Sequence, residues 1–283
     1  MKIYAYKVKP EDDSTKPLEQ AFEFYGKWPL DQRMRDLPGS RVRLENLQKR
    51  GGLYFANFVI FRGGSGPVIV SEQRPMSEIA IKDDESFGED TACLYDPQAK
   101  YLLIQYNHHG PKASAIQAYL AFAEGDLTHR YTLAPKLSEA SEERIRGLRL
   151  VSKVEVTFAV PELISENNAS SVSVGGALDL AKKNGADTLE LVLGNRRGLI
   201  DGAIKDLIVD LFKISPGDPG IKKLTLRAQS AEDAPRETID LIAERLCSEV
   251  DIPLRLGRRY SLADRWEQLA IARQSWIKAG FLI

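Results

Sequence analysis

Residues 189–228 constrain the fold more than any other part of the chain, because strand and helix patterns alternate within this short stretch. Residues 189–193 (LELVL) are an apolar run that predicts a strand. Residues 199–214 carry apolar side chains at three- and four-residue spacing, which predicts an amphipathic helix. Proline and glycine residues end this helix, and residues 221–228 (IKKLTLRA) predict a second strand. We expect a right-handed βαβ unit whose two strands form a parallel pair.

The rest of the chain predicts further strands and helices, with hairpins concentrated in the first half. There we expect strands at 2–8 and 129–133, helices at 18–25, 41–49 and 113–123, a glycine-linked hairpin of 53–61 with 67–71, and a second hairpin of 91–95 with 101–106. In the second half we expect strands at 150–160 and 252–256 and helices at 176–184, 237–247 and 262–279. The predicted fold class is α/β, with a hairpin-rich α+β N-terminal part and then a βαβ-containing mixed sheet with flanking helices.

The ends of the last helix and one polar segment suggest how the chain is divided. Ser261 and Asp264 resemble an N-terminal capping pair, and Gly280 stands where a C-terminal stop belongs. Residues 136–148 are polar and are a candidate linker. We therefore predict a hairpin-rich domain at 1–148, an α/β domain at 149–257, and a C-terminal helix at 258–283 that packs on the rest or forms a dimer contact.

Composition narrows the class of protein without identifying it. A hydrophobic content of 43% with 28% charged residues is ordinary for a globular protein. No run approaches the roughly 18–20 apolar residues that cross a membrane, and the N-terminus lacks the apolar core of a signal peptide. We therefore expect a cytoplasmic protein that does not itself span a membrane. The net charge of −1 means that any nucleic-acid contact needs locally segregated charge.

The inventory of possible catalytic groups is thin. Asp83, Asp84 and Glu85 are consecutive and, with His108, could supply ligands to a metal ion. Their spacing does not by itself converge them on one ion. The glycine-rich stretch 63–66 lacks the lysine of a phosphate-binding loop and is expected to be a turn. No G-x-S-x-G or G-x-G-x-x-G motif follows a predicted strand. We expect no catalytic residue, no metal and no cofactor.

Basic residues around the predicted βαβ unit are a more coherent signal. Arg196 and Arg197 follow the first predicted strand, where two guanidinium groups and helix N–H donors could bind a phosphate. Alternation on the next strand places Lys223 and Arg227 on one face and Lys222 on the other. The full candidate set is Arg196, Arg197, Lys205, Lys222, Lys223, Arg227, Arg258 and Arg259. Alternatively, these side chains form ion pairs within the domain, with Asp201, Asp206 and Asp210.

The order of several segments resembles the RexA-like phage-exclusion family. The similarity lies in residues 83–88, in Gly110-Pro111 before a helix, in strands at 129–133 and 154–161, and in the run from Leu189 to Ala228. The resemblance implies a homodimeric, two-domain α/β protein that binds double-stranded DNA without sequence preference and works with a membrane channel protein. Arg227 matches a basic position of the family, whereas the neighbouring basic position falls on Gln229. Arg196-Arg197 stands where the family has a lysine-rich turn.

These observations predict a non-enzymatic, homodimeric DNA-binding protein that acts in phage exclusion, a form of abortive-infection antiviral defence. The alternative is a metal-dependent nuclease or hydrolase that uses Asp83, Asp84, Glu85 and His108. A third possibility is a subunit that only binds other proteins.

Overall fold

The structure is a computed structural model that describes residues 1–37, 40–62, 66–124, 127–146, 148, 150–160, 172–199, 221–230, 234–253 and 259–282. The described strands are β1 (Lys2–Pro10), β2 (Met34–Leu37), β3 (Ser40–Arg50), β4 (Leu53–Arg62), β5 (Val68–Ile69), β6 (Ser77–Glu78), β7 (Phe87–Asp96), β8 (Tyr101–Tyr106), β9 (Phe122–Glu124), β10 (Leu127–His129), β11 (Tyr131–Pro135), β12 (Leu150–Ala159), β13 (Thr188–Leu199), β14 (Ile221–Gln229), β15 (Glu237–Asp240) and β16 (Cys247–Glu249). The described helices are α1 (Leu18–Gly26), a 3-10 turn (Leu30–Arg33), α2 (Ala113–Leu120), α3 (Glu139–Arg146), α4 (Val172–Lys183) and α5 (Leu262–Lys278). The prediction of a mixed helix-and-strand fold class is confirmed.

The first sheet has the order β11-β1-β8-β7-β4-β3-β2, with β16 added to β1, and the pairings are antiparallel. Both of its faces are buried over the central strands. On β8, Leu102 and Ile104 face the core that α1 and α2 cover, whereas Tyr101 and Leu103 face the core that α5 covers. Burial on both faces explains why most of the residues of this strand are apolar, without alternation with polar residues.

The second sheet is smaller, with the order β13-β12-β14-β15 and antiparallel pairing throughout. Val154, Val156 and Phe158 of β12 point into a core that also contains Leu224 of β14 and Leu178 of α4. The alternate residues of β12 are only partly buried. An antiparallel sheet with one covered and one open face has this alternation.

The predicted parallel pair is wrong. β13 and β14 run in the same direction, but β12 lies between them and pairs antiparallel with both. Strands that flank a crossover are often neighbours, but here the earlier strand β12 is inserted between β13 and β14, which no local pattern at 189–228 indicates. The predicted helix 199–214 lies outside the described residues, except for Leu199, which ends β13.

Two predicted helices are strands. Residues 41–49 lie in β3, where pairing with β2 and β4 on both sides overrides local helix propensity. In the predicted helix 237–247, the apolar spacing is coincidental, because Ile239 packs in the core of the second sheet and Leu246 in the core of the first. Residues 237–240 form β15, and the Asp240 carboxylate then accepts hydrogen bonds from the N–H groups of residues 242 and 243 in a turn.

The glycine-linked hairpin is also wrong, because β4 pairs with β3 and β7, whereas β5 pairs with β6. Of the predicted strand 252–256, the first two residues are not in a strand and the others lie outside the described residues. Helices near 18–25 and 113–123, the hairpin of β7 and β8, and the strand at 150–160 are confirmed.

The C-terminal segment returns to the first sheet. β16 pairs with β1, and α5 buries Trp266, Leu269 and Trp276 against the first sheet. The predicted cap is confirmed, because the Ser261 side chain accepts a hydrogen bond from the Asp264 N–H, and Gly280 has a positive φ of 79° after the helix. The division at 148 and 257 stays a prediction. No helix in the described ranges is both long enough and apolar enough to cross a membrane.

We expect Trp266→Ala to destabilise the fold by about 3–5 kcal/mol, because it opens a cavity and removes the hydrogen bond from the indole Nε1 to the Ala56 carbonyl. Urea denaturation followed by circular dichroism measures this change. Ile271→Ala, on the exposed side of the same helix, is the control and should change stability by about 0.5 kcal/mol or less. Equal midpoints for the two variants would contradict the packing role of Trp266.

Candidate functional site

The open face of the second sheet carries two of the predicted basic residues, Lys223 and Arg227, together with Lys153 of the neighbouring strand. Lys153 of β12 lies opposite Arg227 of β14 on one side and Gly194 of β13 on the other. Directly opposed residues in antiparallel strands project to the same face. Because Val154 and Val156 point into the core, Lys153, Glu155 and Arg227 project to the solvent side.

One of the predicted residues is engaged in an ion pair. The Nζ atom of Lys223 lies 2.5 Å from an oxygen of Glu155, and Lys153 pairs with the same carboxylate. Hydrogen bonds from Lys153 and Lys223 lower the pKa of Glu155 to about 2. Lys223 therefore forms an ion pair within the sheet, as the alternative interpretation predicted, but its partner is Glu155. The predicted partners Asp201, Asp206 and Asp210 lie outside the described residues.

Arg227 differs from Lys223. Its side chain is exposed, and no carboxylate in the described ranges forms a salt bridge with it. Its backbone carbonyl accepts a hydrogen bond from the Ser152 hydroxyl, which ties this part of β14 to β12. Lys222 is exposed as well, at a break in register where residues 221 and 223 oppose consecutive residues of β12.

Arg196 and Arg197 lie inside β13 and not between a strand and a helix, since β13 extends to Leu199. That part of the prediction is wrong. The register jumps from Gly194 opposite Lys153 to Leu199 opposite Val151, so the two arginines occupy an irregular end of the strand beyond the row of Arg227. Only their backbone is described. Lys205 and Arg258 lie outside the described residues.

Arg259 lies on the first sheet, where it belongs to a polar cluster that the sequence did not indicate. Asp90 of β7 accepts hydrogen bonds from Arg259 at 2.6 Å and from Arg265 at 2.5 Å. Asn57 donates to the same carboxylate, and Gln105 accepts from Arg265. Although burial raises the pKa of Asp90, the hydrogen bond and charge of Arg265 outweigh this effect and hold it below its usual value.

Arg265 of α5 is buried, since its side chain is only 6% exposed. A signal for this burial is present in the sequence, because Arg265 lies three residues after Leu262 and four before Leu269, within the apolar stripe of α5. Arg273 of the same helix pairs with the buried Asp96 at 2.6 Å.

The polar cluster opens into the larger of two adjoining pockets, a cavity of about 650 Å³ at one end of the interior strands β1, β8 and β7 of the first sheet. Its lining includes Tyr4, Tyr106, Arg245, Arg259, Tyr260 and Arg265.

The metal-site alternative gains no support from the geometry. Asp83, Asp84 and Glu85 are exposed in a turn, where Glu85 accepts a hydrogen bond from the Lys82 N–H. The imidazole of His108 instead contacts Tyr106 and His109. Across the described ranges, no group of three or more histidine, cysteine or acidic side chains could hold a metal ion.

The described sheets and helices define a mixed helix-and-strand protein with two larger antiparallel sheets, each with a polar surface, and two two-stranded pairs, β9 with β10 and β5 with β6. The chain belongs to the family of unknown function DUF6731, whose model matches residues 8–262 and thus spans both sheets. No curated protein matches the chain. No solved structure matches it either.

We expect Asp90→Asn to destabilise the protein by about 3–5 kcal/mol at pH 7, because it leaves the buried Arg265 guanidinium without its counter-charge. The folded-state pKa of Asp90 is lowered, so its contribution is full above the unfolded pKa of about 3.9 and is lost as pH falls through the folded value. The difference between wild type and variant should therefore stay constant from about pH 7 to pH 5 and shrink only as the pH falls below about 4, as urea denaturation at each pH would measure.

Asp36→Asn is the control for this measurement, because Asp36 pairs with Arg41 on the exposed surface and should contribute about 0–1 kcal/mol. A constant difference across the pH range would contradict the role of the Asp90 charge.

Proposed function

We propose that this protein binds double-stranded DNA without sequence preference, through the basic end of the open face of the second sheet. The observation that supports this proposal is the exposure of Arg227 without an ion pair in the described ranges, in a cross-strand row with Lys153 and beside the end of β13 that carries Arg196 and Arg197.

Charge is segregated along this face. Glu155 and Asp240 lie in the row that centres on Thr225, and Glu190 lies in the next row, with Thr157 and Lys223, whose charge is paired with Glu155. The row of Arg227 contains no acidic residue, because its other members are Gly194, Lys153 and Thr238. A phosphate backbone would approach this end of the sheet and be repelled from the other end, which is how a chain with a net charge of −1 could bind DNA.

Binding of this kind depends on cations that displace counterions from phosphates. An arginine that has no carboxylate partner contributes its whole charge, whereas Lys223 must share Glu155 with Lys153. Contacts to phosphate carry no base information, so the absence of sequence preference follows from the same arrangement.

We also propose that the protein is a homodimer, and the support for this comes from an exposed arm. Residues 66–86, here called the arm, contain the two short strands β5 and β6. A hairpin of this size is marginally stable when nothing covers it. Its exposed apolar side chains are Val68, Ile69, Val70, Met76, Ile79 and Ile81. Apolar side chains concentrated in this way are typical of contact surfaces, and a second copy would cover them.

The remaining parts of the proposal are a cytoplasmic location, a non-enzymatic role in phage exclusion, and partnership with a membrane channel protein. Their support is the similarity in segment order to the RexA-like family.

We expect Arg227→Ala, and separately the double substitution of Arg196 and Arg197 by alanine, to weaken binding equally for duplexes of unrelated sequence. Log affinity falls with log salt concentration, and each lost phosphate contact should make this negative slope about 0.9 less steep. Gel-shift titrations between about 50 and 200 mM salt measure both quantities.

Arg41→Ala is the matched control, because Arg41 is an exposed arginine on the first sheet. A flat salt dependence, or an unchanged titration for both test variants, would remove this surface from consideration. Cleavage of plasmid DNA in the presence of Mg²⁺ or Mn²⁺ would instead favour the metal-dependent hydrolase.

We expect the double substitution Val70→Glu and Met76→Glu to convert the dimer into a monomer, because four charges would be buried where the two arms meet. Size-exclusion chromatography with light scattering measures the mass. Leu30→Glu, an exposed apolar position outside the arm, is the control and should leave the dimer intact. A wild-type protein that is monomeric at micromolar concentration would refute the dimer.

A further inference from the structure

We propose that the 650 Å³ cavity on the first sheet is a binding site for a nucleotide, with its phosphates beside Arg259 and Arg265 and its base against Tyr106. This site is separate from the DNA surface, which lies on the second sheet. The cavity falls within the range of about 300–1,000 Å³ that is usual for small-molecule sites.

The lining of the cavity carries an excess of positive charge. Lys2, Arg245, Arg259 and Arg265 contribute four cations, whereas Glu89 and Asp90 contribute two carboxylates. Lys2 is additionally paired with Glu249 near the rim. Asp90 is a single carboxylate that pairs with two guanidinium groups, those of Arg259 and Arg265, so one negative charge faces two positive charges. An anion bound here would neutralise charge that Asp90 alone leaves in excess.

Arg265 is held in a position to receive such an anion. Its side chain is almost fully buried, with one terminal nitrogen bonded to Asp90 and the other to Gln105. Its Nε–H is buried and finds no hydrogen-bond partner among the described residues. A buried donor without an acceptor destabilises the protein. A ligand oxygen that accepted a hydrogen bond from this Nε–H would therefore contribute more binding free energy than one that formed a hydrogen bond at the surface.

Arg259 completes the cation pair from the solvent side. Its side chain is 66% exposed, and one of its nitrogens lies 2.6 Å from Asp90. A guanidinium has five N–H donors, so this single contact leaves others for a phosphate. The two arginines thus combine a fixed, buried cation with an adaptable, exposed one.

Aromatic rings form another part of the wall, and they distinguish a nucleotide from a simple anion. Tyr4, Tyr106 and Tyr260 all line the cavity, and the rings of Tyr4 and Tyr106 meet edge to face at 6.1 Å. Tyr106 is 46% exposed, and the Nζ atom of Lys112 lies over its ring at 4.7 Å from the centre, so a planar group would stack on the remaining exposed area. The amides of Gln105 and Asn107 line the same cavity and can hydrogen-bond the edge of a base. Inorganic phosphate would contact the arginines but would make no contact with the tyrosine rings and amides of this wall.

Isothermal titration calorimetry with ADP and GDP tests the proposal, with pyrophosphate and adenosine as the two halves of the ligand. We expect saturable binding of at least one nucleotide, and binding about tenfold or more weaker for either half. Arg259→Ala should weaken binding of the nucleotide and of pyrophosphate about tenfold, because it removes a charge-assisted hydrogen bond. Tyr106→Ala should weaken binding of the nucleotide and of adenosine while sparing pyrophosphate.

Arg41→Ala, which also removes an exposed arginine paired with an aspartate, is the control and should bind like wild type. Thermal unfolding without ligand establishes that each variant is folded. Absence of saturable nucleotide binding at millimolar concentration, or equal affinity of wild type and Arg259→Ala, would overturn the proposal. Pyrophosphate binding as tight as ADP binding would also overturn it, because the aromatic wall would then contribute nothing.

The two proposed sites can be tested independently. We expect Arg227→Ala to leave nucleotide affinity unchanged, because Arg227 belongs to the second sheet, whereas Arg259 and the cavity contact Asp90 of the first sheet. Loss of DNA binding by Arg227→Ala in a protein that shows no nucleotide binding would refute the nucleotide site alone.

Discussion

The buried ion pair between Arg265 and Asp90 joins the C-terminal helix to the first sheet and also lines the cavity. Its two residues are 175 positions apart, and the pair fastens α5 to the middle of the first sheet. Removing two charges from water is costly, and this cost is offset here because Asn57 and Gln105 satisfy further donors and acceptors of the pair. The same contact builds the floor of the cavity. Stability of the C-terminal helix and the chemistry of the pocket therefore depend on one electrostatic arrangement.

The two sheets differ in how their faces are used, and this difference places the polar surfaces. The central strands of the first sheet are covered by helices on both sides, and the polar cluster of Asp90 and Arg265 lies at one end of these strands. The second sheet is covered on one side, where Leu178 of α4 meets Val156 and Leu224. Its open side carries charge in rows, and the row of Arg227 contains no acidic side chain.

Local signals in the sequence were sufficient to predict the conformation of segments that are stabilised by residues close to them in sequence. The helix α5 follows from its capping serine, its apolar stripe and its terminal glycine, and the hairpin of β7 and β8 follows from two apolar runs around Asp96-Pro97. Such signals failed where partners distant in sequence decide the conformation. Residues 41–49 have no strong strand pattern of their own, yet pairing with β2 and β4 makes them a strand.

The candidate sites show the same division. Because alternation is a property of the strand itself, the sequence determined that Lys223 and Arg227 lie on one face of a strand, together with the mixed fold class and the identity of the last helix. Only the tertiary structure decided that Glu155 pairs with Lys223, that Arg227 stands in a row without acids, and that Arg265 meets Asp90. Each of these depends on which strands are neighbours and in what register. Register is set by the packing of whole sheets and helices, and no local run of residues contains that information.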